Sequence, residues 1–488
     1  MKTTILTLLF SISLCGFTQD LVGEAVYGEV QTENFGEYVA ISGDGKTFIA
    51  NAPGNQQNDL NSGSAAVYTN IGNDWVQVGA RFYGTSYMEQ LGKHVDISND
   101  GSIIAISASK LDNGSSQSEG VVYVYQNVSN NWVMLGQPIL GKSMADLAGT
   151  RVSLSGDGST IAITSPGSDE NGSASGQVRV FEFVSNAWVQ LGQDINGYGI
   201  DAAFGYDVSI SNSGDRLAAS SINNTTGATM IGYVMVYENI NGVWTQIGQT
   251  LNGAANEDRF GRSIALSGNG NTLIVGAAGS DINGNNSGTT SIFDYTSNNW
   301  TLVGQEIHGQ QGGASEGWRV SISDDGNTIG TGATSINYYT GQVRVFYRTG
   351  SNWTQLGNDM VGDNTYDNFA SNMISADGTT IVTGAFFNDS IGNNAGQVKV
   401  FDFSRLLNTE NLKNSQSVHL YPNPASNEIN IKLSTNANLE EIIIYDVLGQ
   451  KVKSSKEQKI IVSDLTKGSY FIDIITDIAK TSKKLIIN

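Results

Sequence analysis

The chain has 488 residues and a formal net charge of -20, long enough for a large core and more than one domain. That acidity disfavours nucleic acid phosphates and anionic lipid as partners and leaves cations or neutral polymers. Only 15% of residues are charged, while 58 are glycine and 5 proline, so the polar surface must come from Asn, Ser, Thr and Gly, a mixture that favours strands and turns.

Residues 1–18 read as a secretory signal peptide. Lys2 precedes an apolar run from Ile5 to Phe17 that is short for a membrane span, and cleavage is expected near Thr18 or Gln19. The only cysteine, Cys15, leaves with that peptide, so the exported chain is expected to hold no disulfide. A lipoprotein reading of Cys15 is weaker, because Leu14 stands where a small residue is wanted. No later segment is apolar enough to cross a membrane.

Residues 19–403 repeat. A short turn recurs as "SGDG" at Ser42, "SNDG" at Ser98, "SGDG" at Ser155, "SNSG" at Ser211, "SGNG" at Ser267, "SDDG" at Ser323 and "SADG" at Ser375, giving seven units spaced by 56, 57, 56, 56, 56 and 52 residues. Each unit carries four strand-like segments, clear in the third as "RVSLS", "STIAITS", "GQVRVFEF" and "AWVQLGQ". Trp75, Trp132, Trp188, Trp244, Trp300 and Trp353 head the fourth segments, and the recurrence marks them as packing residues. The seventh unit lacks a fourth segment. At the other end, "DLVGEAVYGEV" from Asp20 loosely matches "VQLGQDINGYG" from Val189, and an N-terminal strand completing the last sheet would close a ring. The expected fold is all-β: a seven-bladed β-propeller whose N-terminal strand closes the last blade, followed by a small C-terminal Ig-like β-sandwich.

The segments "FGYDVSISNSGDRLAAS" from Phe204 and "FGRSIALSGNGNTLIVGAAGSDINGNNSG" from Phe260 resemble the FG-GAP repeats of bacterial propellers and, more distantly, the integrin α-subunit propeller. Integrin-type repeats often hold Ca²⁺ on a D-x-D-x-D-G run, which the resemblance would carry to these turns. The turns here offer one Asp at best (Asp44, Asp100, Asp157, Asp377), apart from Asp324 and Asp325, too few oxygens for a calcium shell. A hairpin whose Asp caps its own backbone is the expected role. The metal candidates are Asp169 with Asn171 and Asp281 with Asn283, in "GSDENGS" and "GSDINGN". No cofactor is required by the sequence, and Ca²⁺ at those pairs is the one candidate.

The turns differ from the sialidase Asp box by an early Gly, and the arginines read as scattered. His94, His308 and His419 show no metal-ligand spacing, and no nucleophile elbow or Walker loop is present. A spatially assembled carboxylate pair stays open.

Antiparallel order places the loops between second and third strands on the same face as the connectors between units. These loops vary in length and sequence, as recognition loops do. Their aromatics are the expected ligand site for sugar rings or a peptide: Tyr338 and Tyr339 in unit six, Phe386 and Phe387 in unit seven, Tyr83 and Tyr87 between units one and two, and Trp318, which follows Gly317 where other units have Glu37, Lys93, Thr150, Tyr206 or Arg262.

Residues 404–416 read as a linker. No arginine follows Arg405 and lysine becomes frequent after Lys413, which marks residues 417–488 as a separate region of short strands. "YPNP" (Tyr421, Pro422, Asn423, Pro424), "YDVLGQKV" from Tyr445, "GSYFIDI" with Gly468 and Tyr470, and "KKLIIN" with Lys483 and Lys484 closely resemble the C-terminal sorting domain of type IX secretion cargo. The resemblance implies passage through the periplasm, recognition by an outer-membrane translocon, and release or attachment at the cell surface. The function expected is a non-catalytic binding or adhesion module outside the cell. The alternatives are an extracellular carbohydrate-active hydrolase or lyase, or a purely structural surface protein.

Overall fold

Six of the seven "SGDG"-type turns are wired the same way. In the computed structural model, which describes residues 19–111, 118–223, 230–407, 419–433, 439–446, 450–476 and 480–488, Ser42 Oγ donates to Asp44 Oδ1 at 2.8 Å. That oxygen accepts the Lys46 N–H at 3.0 Å, and Ser42 Oγ accepts the Thr47 N–H at 3.0 Å. The carboxylate therefore satisfies the corner itself. Asp100, Asp157, Asp325 and Asp377 repeat the arrangement. Asn269 replaces the Asp in unit five, and Asp215 reaches back to Ser211 in unit four. The signal peptide and Cys15 lie outside the described residues, as does most of the linker beyond the helical turn Ser404–Leu407.

The turns begin seven antiparallel sheets. In unit three, Val152–Leu154, Thr160–Ser165, Gln177–Val184 and Ala187–Gln190 pair in chain order, and Ile195–Asn196 returns to the start of the third strand. The expected single fourth strand is thus broken into two pieces there, around Gly192, which sits at φ 77. In unit six it runs unbroken as Asn352–Val361. In unit seven both pieces come from the N-terminal segment: Asp20–Leu21 and Val26–Tyr27 pair with Gln397–Asp402. Removing these pieces would leave Gln397–Asp402 as an open edge.

First strands of successive sheets touch in order, from Val39–Ile41 round to Phe369–Ile374, which touches Val39–Ile41 again. The residues Asp20–Phe403 form one compact unit, a β-propeller. Its apolar cores lie between adjacent sheets. Val178 and Val180 of unit three pack with Val208, Leu217 and Trp244 of unit four, because alternate residues of each strand face the preceding and following sheets.

A second set of bonds closes the ring at the turns. The amide of Gly43 donates to the Asn99 carbonyl (2.8 Å), Asn99 to Gly156, Gly156 to Asn212, Asn212 to Gly268, Gly268 to Asp324 and Asp324 to Ala376, and Asp377 returns to Gly43 at 3.4 Å. Inside this hoop, Asn212 Nδ2 and Asn99 Nδ2 both donate to Asp324 Oδ2, at 2.5 and 3.3 Å. The axial channel is closed at that end.

The unit containing Ser404–Asn488 holds two sheets. His419–Tyr421, Glu428–Lys432 and Lys459–Ile461 form one, and Lys451–Ser455, Leu439–Tyr445, Gly468–Thr476 and Lys480–Ile487 form the other. Ile429, Ile431, Ile442, Ile472, Ile474 and Leu485 bury one core between them. Asn423 ties two of the sequence motifs together: its Nδ2 donates to the Lys484 carbonyl at 2.7 Å and its Oδ1 accepts the Ile486 N–H at 2.8 Å. Tyr470 is buried and its hydroxyl donates to the Thr466 carbonyl at 2.8 Å.

Candidate functional site

A glycine at the head of the first strand, preceded by Phe in units one, four and five, decides what faces the axis. Gly36, Gly92, Gly149, Gly205, Gly261 and Gly317 all sit at φ between 81 and 86, where a side chain is strained. A Cβ on Gly261 would come within 2.7 Å of Ser220 Cβ. This left-handed step re-aims the chain at the start of the first strand. Apart from Thr150, the two residues after each glycine then line the open end of the axial channel. Unit seven departs from the pattern. Ala370 replaces the glycine, and one residue is missing, so Ser371 takes the register that Ser263 has in unit five.

The resulting mouth, a cavity of about 210 Å³, gathers Lys93, Arg151, Arg262 and Arg319 with Glu37, Tyr38, Tyr206, Trp318, Ser371 and Phe386. Three of the chain's ten arginines meet there, in a protein of net charge -20. The reading of scattered arginines is therefore corrected. They come from units three, five and six, and only superposition of the units on the left-handed glycine brings them together. The column that aligns Trp318 with Arg262 carried the signal, but Arg151 and Arg319 sit one place later, on the next inward-facing position.

Aromatic faces hold the guanidinium groups. Arg262 lies 3.9 Å from the centre of the Trp318 ring and 5.4 Å from that of Tyr206. Arg151 lies 4.7 Å from Tyr38, and Arg319 lies 4.2 Å from the same ring and donates to its hydroxyl. Cation–π contact and burial make these geometries rigid. Among the described residues the three arginines have a single carboxylate partner, Asp207, whose Oδ1 is 3.5 Å from Arg151 Nε. Asp207 also accepts the Ile264 N–H at 2.9 Å.

Arg262 has no such partner. It is 7% exposed, and its Nη1 is buried without a hydrogen bond. Burial pulls its pKa down to about 10, and the charges of Arg319 and Arg151 add to that. For Arg151 burial works in the same direction, but the Tyr38 hydroxyl and Asp207 outweigh it and its pKa is raised. His94, whose ring lies 4.6 Å from that of Tyr38 with the planes tilted by 58°, is held well below its ordinary range by burial and by Arg151, Arg319 and Lys93. Deeper in the channel, burial pushes the Asp96 carboxyl up to about 6, against hydrogen bonds from the Leu154 and Ile97 amides. The mouth thus gathers four cationic side chains and leaves one desolvated donor over.

The aromatics expected from the sequence divide among several places. Trp318 and Phe386 line the mouth, and the Phe387 ring lies 4.4 Å from Phe386. Tyr338 and Tyr339 project into solvent, and Tyr339 stacks on Tyr366 at 6.0 Å with 13° between the planes. Tyr83 donates to Glu29 beside the buried Arg81–Glu33 pair (3.0 Å), and Tyr87 is exposed; neither lines the mouth. Asp169 Oδ1 accepts the Ala174 N–H and Asp281 Oδ1 the Asn286 N–H, each at 2.7 Å. Asn171 and Asn283 donate through Nδ2 to the carbonyls of Gly197 and Gly309. The two aspartates thus cap their own loops, and the two asparagines fasten each loop to the connector that follows. Among the described residues no three His, Cys, Asp or Glu side chains group as metal ligands.

Residues 419–488 match the family model of the secretion system C-terminal sorting domain, and residues 244–293 match that of the FG-GAP repeat. No curated protein sequence matches the chain. Among solved structures, the chain is similar to a protein from Lactobacillus plantarum at 13% identity, covering 67% of this chain and 85% of that one with a TM-score of 0.43. It is also similar to the periplasmic gluconolactonase PpgL of Pseudomonas aeruginosa, at 18% identity over 67% of this chain and 86% of that one, with a TM-score of 0.42. No helix among the described residues is long and apolar enough to cross a membrane. The chain is a β-propeller protein with FG-GAP repeats, exported by type IX secretion to the cell surface or beyond on a C-terminal sorting domain.

Proposed function

We propose that the propeller is a seven-bladed, non-catalytic binding module that captures an anionic group of an extracellular ligand in its axial mouth. The Ig-like C-terminal unit serves as its address. One observation carries the reading: Arg262 is a buried guanidinium, stacked on Trp318, with a hydrogen-bond donor unused and no carboxylate beside it. An unpaired buried charge costs roughly several kcal/mol. A carboxylate or sulfate entering the mouth would supply the missing acceptor and the missing charge together, with Arg151, Arg319 and Lys93 as further donors.

The overall acidity of the chain makes the mouth selective. A diffuse polyanion is repelled by the surface, whereas a compact anionic group that reaches the mouth is held at close range. The test is binding of the full chain to acidic and neutral glycans, compared with Arg262→Met. Selective retention of acidic members, lost in Arg262→Met, is expected. Equal retention by both proteins would overturn the reading.

A further inference from the structure

The mouth is the entrance to a blind well. The hoop of seven turns and the Asn99–Asp324–Asn212 bridge close the channel at its other end. A polymer therefore cannot thread the propeller. An anion reaches Arg262 only as the end of a ligand, and the rest of that ligand must leave by the opening it entered, across the outer face.

One direction across that face is aromatic. Phe386 lines the mouth, and Phe387 lies 4.4 Å beyond it. The Phe387 N–H donates to the Asp367 carbonyl at 3.2 Å, which places the second loop of unit seven against the connector that holds Tyr366. Tyr366 in turn stacks on Tyr339 of unit six. The chain at these tyrosines is held in the left-handed region, with φ of 59 at Tyr338, 62 at Tyr339 and 71 at Tyr366, which is disfavoured for every residue except glycine. The outcome is to keep large rings in solvent, Tyr338 being 80% exposed.

We propose that the site takes an acidic oligosaccharide end-on, with the anionic terminal sugar in the arginine mouth and the following sugar rings on the track from Phe386 through Phe387 and Tyr366 to Tyr339. The inference rests on the anion reading of the mouth. Flat ring faces, exposed at Tyr339 and Tyr366 and half-buried at Phe386 and Phe387, suit the C–H faces of pyranose rings. A peptide strand would need a free backbone edge, and here the backbone is engaged: Tyr366 N–H donates to Tyr338 O, Asn368 N–H to Tyr339 O and Phe369 N–H to Thr340 O.

The experiment is calorimetric titration of the full chain with oligosaccharides of one, two and four residues carrying a uronate, sulfate or N-acetylneuraminate at the non-reducing end, and with tetrasaccharides carrying it only at an internal position. With the terminal acid, affinity is expected to rise roughly tenfold from one to four residues, the gain from stacking about two rings. Tyr339→Ser and Tyr366→Ser should each remove most of that gain and leave binding of the acidic monosaccharide unchanged. Arg262→Met should abolish binding at every length. Affinity that does not rise with length, a rise that survives both tyrosine variants, or equal binding of internally charged oligomers overturns the end-on track and leaves the anion mouth standing. Failure of all acidic sugars to bind above neutral ones overturns the mouth itself.

Discussion

The indole Nε1 of Trp75 donates to the carbonyl of Val22 across 2.8 Å. The five other repeated tryptophans make the same bond to the preceding sheet: Trp132 to Val78, Trp188 to Leu135, Trp244 to Leu191, Trp300 to Ile247 and Trp353 to Val303. Val22 therefore occupies, for unit seven, the place that Leu191 occupies for unit three. The Val22 amide completes the role by donating to Val400 at 2.8 Å.

Trp75→Phe keeps an aromatic ring, though a smaller one, and removes the donor, at an expected cost of at least about 1 kcal/mol. Because the lost partner lies on the closing segment, amide exchange in 20–27 should accelerate in Trp75→Phe. Trp188→Phe, with a similar cost, should leave exchange in 20–27 at the wild-type rate. Mass-resolved hydrogen exchange reads both.

Arg262→Met should stabilise the fold while destroying the receptor. Methionine can fill the space against Trp318 without an unpaired buried charge, and replacements of that kind gain about 1–3 kcal/mol. Urea unfolding of the two proteins checks the sign, and a loss of stability would mean that Arg262 has a structural partner.

Asp96 makes the fold pH-sensitive in a defined direction. Its folded-state pKa, pushed up to about 6 from an ordinary 3.8, means that the folded chain binds more protons than the unfolded one between those values. Its stabilising contribution is full below about 3.8 and is lost as pH rises through 6. Asp96→Asn should therefore gain on wild type by up to about 3 kcal/mol between pH 4 and pH 8, measured as the pH dependence of the Tm difference.

Asp324→Ala strips the acceptor from both Asn99 and Asn212 at the closed end of the channel. A cost of about 1–3 kcal/mol is expected from the two stranded donors, with anion affinity at the mouth unchanged. Thermal melting and titration with an acidic monosaccharide separate the two effects.

Much of the fold was legible because it is periodic. The turn from Ser42 to Thr47 repeats with its serine and glycine, and in five of seven units its carboxylate, and the match of Asp20–Val30 to Val189–Gly199 places the closing strand from sequence alone. What the sequence hid was the hoop, since the residues that form it, Gly43, Asn99, Gly156, Asn212, Gly268, Asp324 and Ala376, share no side-chain chemistry and bond through their backbones. The mouth was hidden for a related reason. A residue that faces the axis in only one unit looks like irregularity in a repeat, and Arg151, Arg262 and Arg319 are such departures. The break in the fourth strand was missed because Gly192, which turns the chain there, reads equally well as strand or turn.

Unit seven omits one residue at the step that aims side chains inward, and its own next loop contributes Phe386 to the mouth. A sevenfold collar would present seven equivalent orientations to a small ligand, and each would be filled with equal probability. Different side chains in each unit already lift that degeneracy, and the omission widens the difference by leaving Ser371 and Phe386 on the side of unit seven. The mouth has a single azimuth, so that a group held there points the same way in every copy of the protein.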